Sequence, residues 1–331
     1  MPSLPKPRLR RTTRGRSAVA TRPPEDDTPS VEIVEFDGLR WINIERPRQS
    51  DRGWLEEHFD FHPLDYEDVF SRNQRPKVDE YPEYLFVVLH FAAFDKNVGR
   101  LNAAELDIFV GPDYVITLPN EPLAPVEYLF ERARSREDFR EQLFSKGAGY
   151  LLYKIVDDCV DASFPMLRKI GNKLERLEED IFEGRSKEVV KDISNTKQEI
   201  INFRKIVRPQ RAALGDLERT KRYIPEDLDI YFDDINDASE RIWDMLENFK
   251  EVSEGLESTN ESVLSHQLND ILRVLTAVSV VLLPLTLVAS IFGMNTRVPG
   301  EQSLVGFWVV IGAMVVLLGG MIYAFRRRGW L

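Results

Sequence analysis

One cysteine, Cys159, stands in 331 residues, which excludes an internal disulfide framework and a cysteine-rich zinc site. There are four histidines, and two of them, His58 and His62, are four apart. No third ligand lies close to them and Pro63 follows, so both are expected to be structural or surface residues rather than a metal pair. A glycine-rich phosphate loop, a nucleophile elbow and any other catalytic constellation are missing, so the chain does not read as an enzyme. Residues 1–24 contain no acid but seven bases, from Lys6 to Arg22. The whole chain has a net charge of −11, so the rest of it carries −18. No apolar segment follows the bases, which excludes a secretory signal. Residues 1–30, punctuated by prolines, read as a disordered basic arm, and no nucleic-acid partner is expected.

Charge is also missing from two stretches near the C-terminus. Val274 to Phe292 is 19 residues without a charge, and Gln302 to Phe325 is 24 more. A helix needs about 20 apolar residues to cross the hydrocarbon core of a bilayer, so each run can span it. The nine residues between them suffice only for a hairpin tip. Arg326, Arg327 and Arg328 follow the second run directly. The positive-inside rule then places the C-terminus in the cytoplasm, and two spans place the N-terminal part there too. A reducing compartment agrees with the lone cysteine.

The N-terminal part mixes strand and helix signals. Val31–Phe36, Leu39–Ile44, Tyr84–Phe94, Leu106–Val110 and Tyr114–Leu118 are rich in Val, Ile, Phe and Tyr and read as strands. Asp65–Phe70 and the residues around Trp54–Phe59 read as short helices, which makes 31–120 a small α/β domain. From Glu121 the pattern is helical. Gly149 to Phe182 reads as one long amphipathic helix closed by Gly184, and Ser186 to about Arg222 as a second, interrupted at Pro209. After the break at Tyr223–Glu226, nothing stops a helix until Pro284, inside the first apolar run. A helix over 227–292 has 66 residues and a length of about 100 Å, too long for the interior of a compact monomer. It is a stalk continuing into a membrane span.

Leu228, Ile235, Ile242, Phe249, Leu256 and Val263 recur every seven residues along this stalk, with Tyr231, Ala238, Met245 and Val252 three positions further on. Such a heptad seam packs on other helices at coiled-coil angles, either the two preceding helices or copies of itself. The seam ends at Asp270. There a second stripe begins: Asn269, Leu272, Thr276, Ser279, Leu283, Thr286 and Ser290, spaced 3 and 4 alternately on one face of the first span. Five of these seven are polar and uncharged, while the other faces are mostly Val, Leu and Ile. Polar residues in a membrane helix either join helices or face water. A wet path needs several copies around an axis, because one helix cannot enclose it.

The helix ends at Gly293-Met294-Asn295, where Gly supplies a left-handed C-cap that Asn tolerates. In this setting, at the end of a pore-like helix and before a short loop and a final basic-ended span, the tripeptide closely resembles the signature of the CorA family of divalent-cation transporters. Arg75-Pro76-Lys77-Val78 before Tyr84–Val88, Tyr150-Leu151-Leu152-Tyr153, Pro284-Leu285-Thr286 and the ending Gly329-Trp330-Leu331 are similar to further family stretches. The resemblance runs from about residue 31 to 331. It implies an α+β chain: an N-terminal cytoplasmic α/β domain (31–120), cytoplasmic helices (121–226), a stalk continuing into the first span (227–292), an outer loop (293–303), a second span (304–325) and a basic tail (326–331). It further implies a homopentameric, funnel-shaped channel in the cell (inner) membrane.

The resemblance also assigns roles. Asn295, with Gly293 and Met294, looks like the selectivity ring at the outer mouth. Asn269, Leu272, Leu275 or Thr276, Ser279, Leu283 and Thr286 look like the pore lining, with Leu272 and Leu275 as the hydrophobic gate. The physics is consistent: Mg²⁺ gives up its water reluctantly, so carboxamide oxygens that read a hydrated ion suit it better than carboxylates that strip it. Intracellular Mg²⁺ is expected to regulate as well as to permeate, and no organic cofactor is implied. Asp229, Asp233, Asp234 and Asp237 cluster at the start of the stalk. Asp234, beside Asp233, matches the regulatory stalk position, and Asp95 of a neighbouring subunit is its expected partner. Loops after the signature often carry acids, whereas Thr296–Glu301 has one base, Arg297, and one acid. This keeps open a Zn²⁺ transporter of the ZntB type, proton-coupled or not, or permeation by Co²⁺ or Ni²⁺. A reading from another class is a membrane-anchored coiled-coil scaffold.

Overall fold

The computed structural model describes residues 28–71, 74–95, 100–220, 223–294 and 303–328. Six strands form one sheet in the order β1-β2-β6-β5-β4-β3: β1 (Glu32–Phe36), β2 (Leu39–Asn43), β3 (Lys77–Glu80), β4 (Leu85–Asp95), β5 (Arg100–Val110) and β6 (Tyr114–Pro119). β2 and β6 are parallel and every other pair is antiparallel. Alternation along the strands builds two cores. One face carries Ile42, Phe86, Val88, Phe109 and Ile116 and is covered by α1 (Gln49–His58) and α2 (Pro63–Phe70). The other carries Trp41, Leu85, Val87, Leu89, Leu106 and Ile108. It packs on α3 (Ala124–Ser135), α5 (Ala148–Asp161) and α7 (Ser186–Arg219), with α4 (Glu137–Phe144) beside α3.

Two strand features lie outside the sequence pattern. β3 is short and polar, and the first half of β5 contains Asn102, Ala103 and Ala104. Both form because β4 offers an unbroken 11-residue edge on each side, paired from Leu85↔Val110 to Asp95↔Arg100. Pairing partners override weak β-propensity here.

Three helix boundaries differ from expectation. The segment expected as one helix over Gly149–Phe182 is two, α5 and α6 (Ser163–Phe182), meeting at Ala162. Pro165 has no N–H to give the Asp161 carbonyl, so the ladder is broken while Ala162 keeps helical angles (φ −60°, ψ −16°). Conversely, Pro209 does not interrupt α7, which runs 34 residues through it. Ile206, Val207, Gln210, Ala213 and Leu214 are buried around the proline, and packing on two sides outweighs one lost hydrogen bond. The stalk helix α8 is Asp229–Phe292, 64 residues, preceded by a 3₁₀ turn over Glu226–Leu228.

α8 packs on α7, α6 and, near its start, α5, so the partners of the seam are helices of its own chain. The seven-residue row is buried or half-buried, but its companion row lies four positions on, not three. Phe232, Ser239, Leu246, Ser253 and Asn260 are buried, whereas Tyr231 and Met245 are only half-buried and Val252 is exposed; Ala238 alone of the expected row is buried. Three of those five are polar, which hides the row from a search for apolar residues. Small serines let the antiparallel α7 come close. Lys197–Glu257 (2.6 Å), Arg204–Glu247 and Arg211–Glu240 link the two helices along their length. The ring of Trp243 lies between the Arg204 and Arg211 guanidinium groups, 5.2 Å from each. Leu246→Ala should cost about 2–5 kcal/mol, whereas Val252→Ala should be within about 0.5 kcal/mol of wild type. Thermal unfolding of the solubilised protein would show the difference as a large Tm loss for the first and almost none for the second.

Candidate functional site

The candidate pathway lies on the C-terminal part of α8. Leu272, Leu275 and Leu283 are 56%, 60% and 68% exposed, and Asn269, Thr276, Ser279 and Thr286 are exposed with them. The helix α9 (Leu304–Arg327) packs on α8 elsewhere. At this level the buried positions of α8 are Ala277 and Val281, with Pro284, Leu285 and Val288 half-buried. At 100° per residue these centre roughly 160° from the polar stripe. Among the described residues, the stripe is therefore on the side of α8 that no other helix of the chain covers. The seam residues Leu256 and Asn260 also lie on the covered side by the same count, so α8 keeps its own chain to one side over this length.

The hydroxyl groups on the stripe are oriented by the helix itself. Thr276, Ser279 and Thr286 donate to the carbonyls of Leu272 (2.7 Å), Leu275 (2.9 Å) and Leu282 (2.8 Å). With their protons committed, the oxygens present lone pairs outward. A hydrated cation turns its water hydrogens outward, so this surface is complementary to a cation that keeps its water.

Gly293 caps α8 with right-handed angles (φ −88°, ψ −2°), not the left-handed cap expected of it. Its N–H bonds to the Ala289 carbonyl at 2.9 Å, and a Cβ there would sit 3.1 Å from that oxygen. Close backbone approach, rather than positive φ, favours glycine. Met294 is exposed. Asn295 and Arg297 lie outside the described residues.

Among the expected regulatory acids, Asp233 and Asp234 are exposed on the second turn of α8. Asp234 lies beside an acidic stretch of α5. Burial first, then Asp157, Asp158 and Asp234, raise the Asp161 carboxyl above its ordinary range, against Lys154. Lys154 pairs with Asp157 (2.8 Å) and Asp158 (2.7 Å). Asp95 ends β4 opposite Arg100, on a strand that packs chiefly on α7. Among the described residues of one chain, no three His, Cys, Asp or Glu side chains are grouped to hold a metal ion. His62 caps α2, its Nδ1 accepting from the Leu64 N–H (3.3 Å), and His58 stacks on Trp54 with centroids 4.3 Å apart. Both histidines are exposed and make these local contacts.

A sequence model of the CorA-like Mg²⁺ transporter protein family matches residues 36–327. The chain belongs to the CorA family. It is 31% identical over 295 residues to the cobalt/magnesium transport protein CorA of Thermotoga maritima, covering 88% of this chain and 83% of that one. The fold matches the complete structure of the CorA magnesium transporter from Methanocaldococcus jannaschii with a TM-score of 0.77 at 22% identity, over 90% and 94% of the two chains. The cytoplasmic domain of ZntB from Vibrio parahaemolyticus has the same fold at a TM-score of 0.59 and 16% identity, over 69% of this chain and 88% of that one. CorA proteins are membrane transporters, and this chain has two helices, α8 and α9, long and apolar enough to cross a bilayer.

One group escaped the sequence analysis. Asp107 is fully buried in β5, on the face under α2, and neither carboxylate oxygen has a hydrogen-bond partner among the described residues. Burial, reinforced by Glu105 and Asp68, raises its carboxyl well above the ordinary range, against the pull of Lys77. Period-two alternation places it in phase with Phe109, a core position, and that was the available signal. The folded state thus retains a proton that the unfolded chain releases above about pH 4, so stability falls as pH rises through that window. Asp107→Asn should raise Tm, more at pH 8 than at pH 5. Equal gains at both pH values in thermal scans would contradict a retained proton.

Proposed function

We propose that five copies of the chain form a channel that carries Mg²⁺ across the cell (inner) membrane, with both termini in the cytoplasm. The observation that carries this reading is the arrangement of α8: a stripe of outward-facing oxygens and leucines on an apolar helix, on the side opposite α9. Lipid covers apolar surface well and polar surface poorly, so the stripe needs water or other copies. Five stripes around an axis supply both. The family resemblance sets the number at five, and the Arg326–Arg328 cluster supports the orientation.

In this pore, Asn295 carboxamides present carbonyl oxygens to the hydration shell at the outer mouth. A neutral ring holds the ion weakly enough for release, where five carboxylates would not. Below it, Thr286, Ser279, Thr276 and Asn269 accept from the waters the ion carries. Leu283, Leu275 and Leu272 form apolar constrictions, and the two nearest the cytoplasm close the path by dewetting. Intracellular Mg²⁺ bridges Asp234, with Asp233 beside it, to Asp95 of a neighbour and holds the closed state. An ion site shared between subunits is consistent with the lack of a complete ligand set within the described part of one chain. Losing the ion leaves carboxylates repelling across the interface, which opens the funnel.

Transport by proteoliposomes tests the reading. Asn295→Ala should reduce Mg²⁺ uptake about tenfold or more, the loss expected for roughly 1.4 kcal/mol of ion stabilisation. Unchanged uptake would leave only an anchored scaffold. Asp234→Lys should weaken the protection that Mg²⁺ gives the cytoplasmic domain against protease, and undiminished protection would remove Asp234 from the regulatory site. Arg297 favours a second reading, since five bases near the mouth oppose cation capture. In that reading Zn²⁺ is the cargo, and Co²⁺ and Ni²⁺ are further candidates. Uptake of each ion with and without a pH gradient separates these: dominant, gradient-dependent Zn²⁺ flux with neither permeation nor block by Mg²⁺ would replace the Mg²⁺ assignment.

A further inference from the structure

We propose that the Lys146 ammonium is a built-in counter-ion of the stalk base: it occupies a tyrosine-walled cation subsite next to Asp234 and weakens divalent-cation binding there. The proposal rests on the reading of Asp234 as a regulatory ligand.

The subsite is assembled by three elements. Lys146 is the residue before Gly147, whose φ of +84° turns the chain into α5. Its Nζ lies 4.3 Å from the ring centroid of Tyr150 on α5 and 5.4 Å from that of Tyr231 on α8, and donates to the Tyr231 hydroxyl at 3.4 Å. Tyr150, Tyr153 and Tyr231 pack on one another with centroids 4.8–5.6 Å apart. Ring faces and a phenolic oxygen attract a positive charge, and the exposed lysine lies against them. The surroundings are held close: a Cβ on Gly149 would sit 2.1 Å from the carbonyl oxygen of Tyr223, at the turn leading into the stalk.

This cation sits in an acidic field. Tyr231 precedes Asp234 by three residues, hence on the same side of α8. Tyr153 is pushed up to about 12 by burial first and by Asp157 next, with Asp234 contributing. The acids facing this region from α5 are Asp157, Asp158 and Asp161. Lys154 takes up Asp157 and Asp158. Lys146 is exposed and lies against the ring of Tyr150 and that of Tyr231, one helical turn before Asp234 on α8. A positive charge resting on Tyr231, one turn from Asp234, repels an incoming divalent ion twice as strongly as a monovalent one. The lysine therefore sets the Mg²⁺ concentration at which the stalk base responds.

The test is a MgCl₂ titration of protease protection on the full-length protein in detergent. Lys146→Met keeps an apolar stem on the Tyr150 ring and removes the charge. It should lower the Mg²⁺ midpoint about two- to fivefold. Lys146→Arg, which keeps charge and ring stacking, should leave the midpoint near wild type. In an Asp234→Asn background, Lys146→Met should change nothing. A wild-type midpoint in Lys146→Met, with Asp234→Asn abolishing the response, overturns this proposal alone and makes Lys146 a mere staple. A response that survives Asp234→Asn overturns the Asp234 reading and this one together.

Discussion

The seam that α8 buries against α6 and α7 is the interaction on which the other features depend. It seats the stalk on the cytoplasmic helices α6 and α7 through Phe232, Ile235, Ile242, Leu246 and Leu256. Each large apolar residue so buried contributes on the order of 2 kcal/mol, while the exposed ion pairs beside it contribute little. Because the helix is continuous from Asp229 to Phe292, seating one end also sets the rotational phase of the other. By helical phase Leu256 and Asn260, at the end of the seam, fall on the side that meets α9, whereas the earlier seam residues are rotated progressively away from it. The oxygen-bearing stripe is left for partners that a single chain does not supply.

The features with a local or periodic cause were legible in the sequence. Val, Ile, Phe and Tyr clustering marked five of the six strands, and the absence of charge marked both helices long and apolar enough to cross a bilayer. The seven-residue row from Leu228 to Leu256 located the buried face of α8. What escaped notice has tertiary causes. β3 and the start of β5 are strands because β4 pairs with them. Pro209 sits inside α7 because two neighbours hold the helix around it. Ser239, Ser253 and Asn260 are buried because close helix approach needs small or shapeable side chains, which hydropathy does not rank. Asp107 was in phase with the core, but its type argued against burial.

The candidate pathway was legible for the same reason as the seam, since spacing alone isolates Asn269, Leu272, Thr276, Ser279, Leu283 and Thr286. The direction of the hydroxyl protons was not. It follows from helix geometry, in which each hydroxyl finds the carbonyl four residues back. That detail carries chemical content, because it commits the hydroxyl protons to the helix and leaves the oxygens as acceptors. The Asp234 side differs in kind: Asp233 and Asp234 are exposed acids, and nothing in their spacing names a partner across a subunit boundary.

The unbroken length of α8 also has a mechanical meaning. At 1.5 Å per residue its 64 residues make a rod of about 96 Å. A tilt of about 2° at the acidic end displaces the far end by about 3 Å, roughly the diameter of a water molecule. The helix is thus a lever arm whose gain comes from its length, so a small tilt at one end becomes a displacement of molecular size at the other.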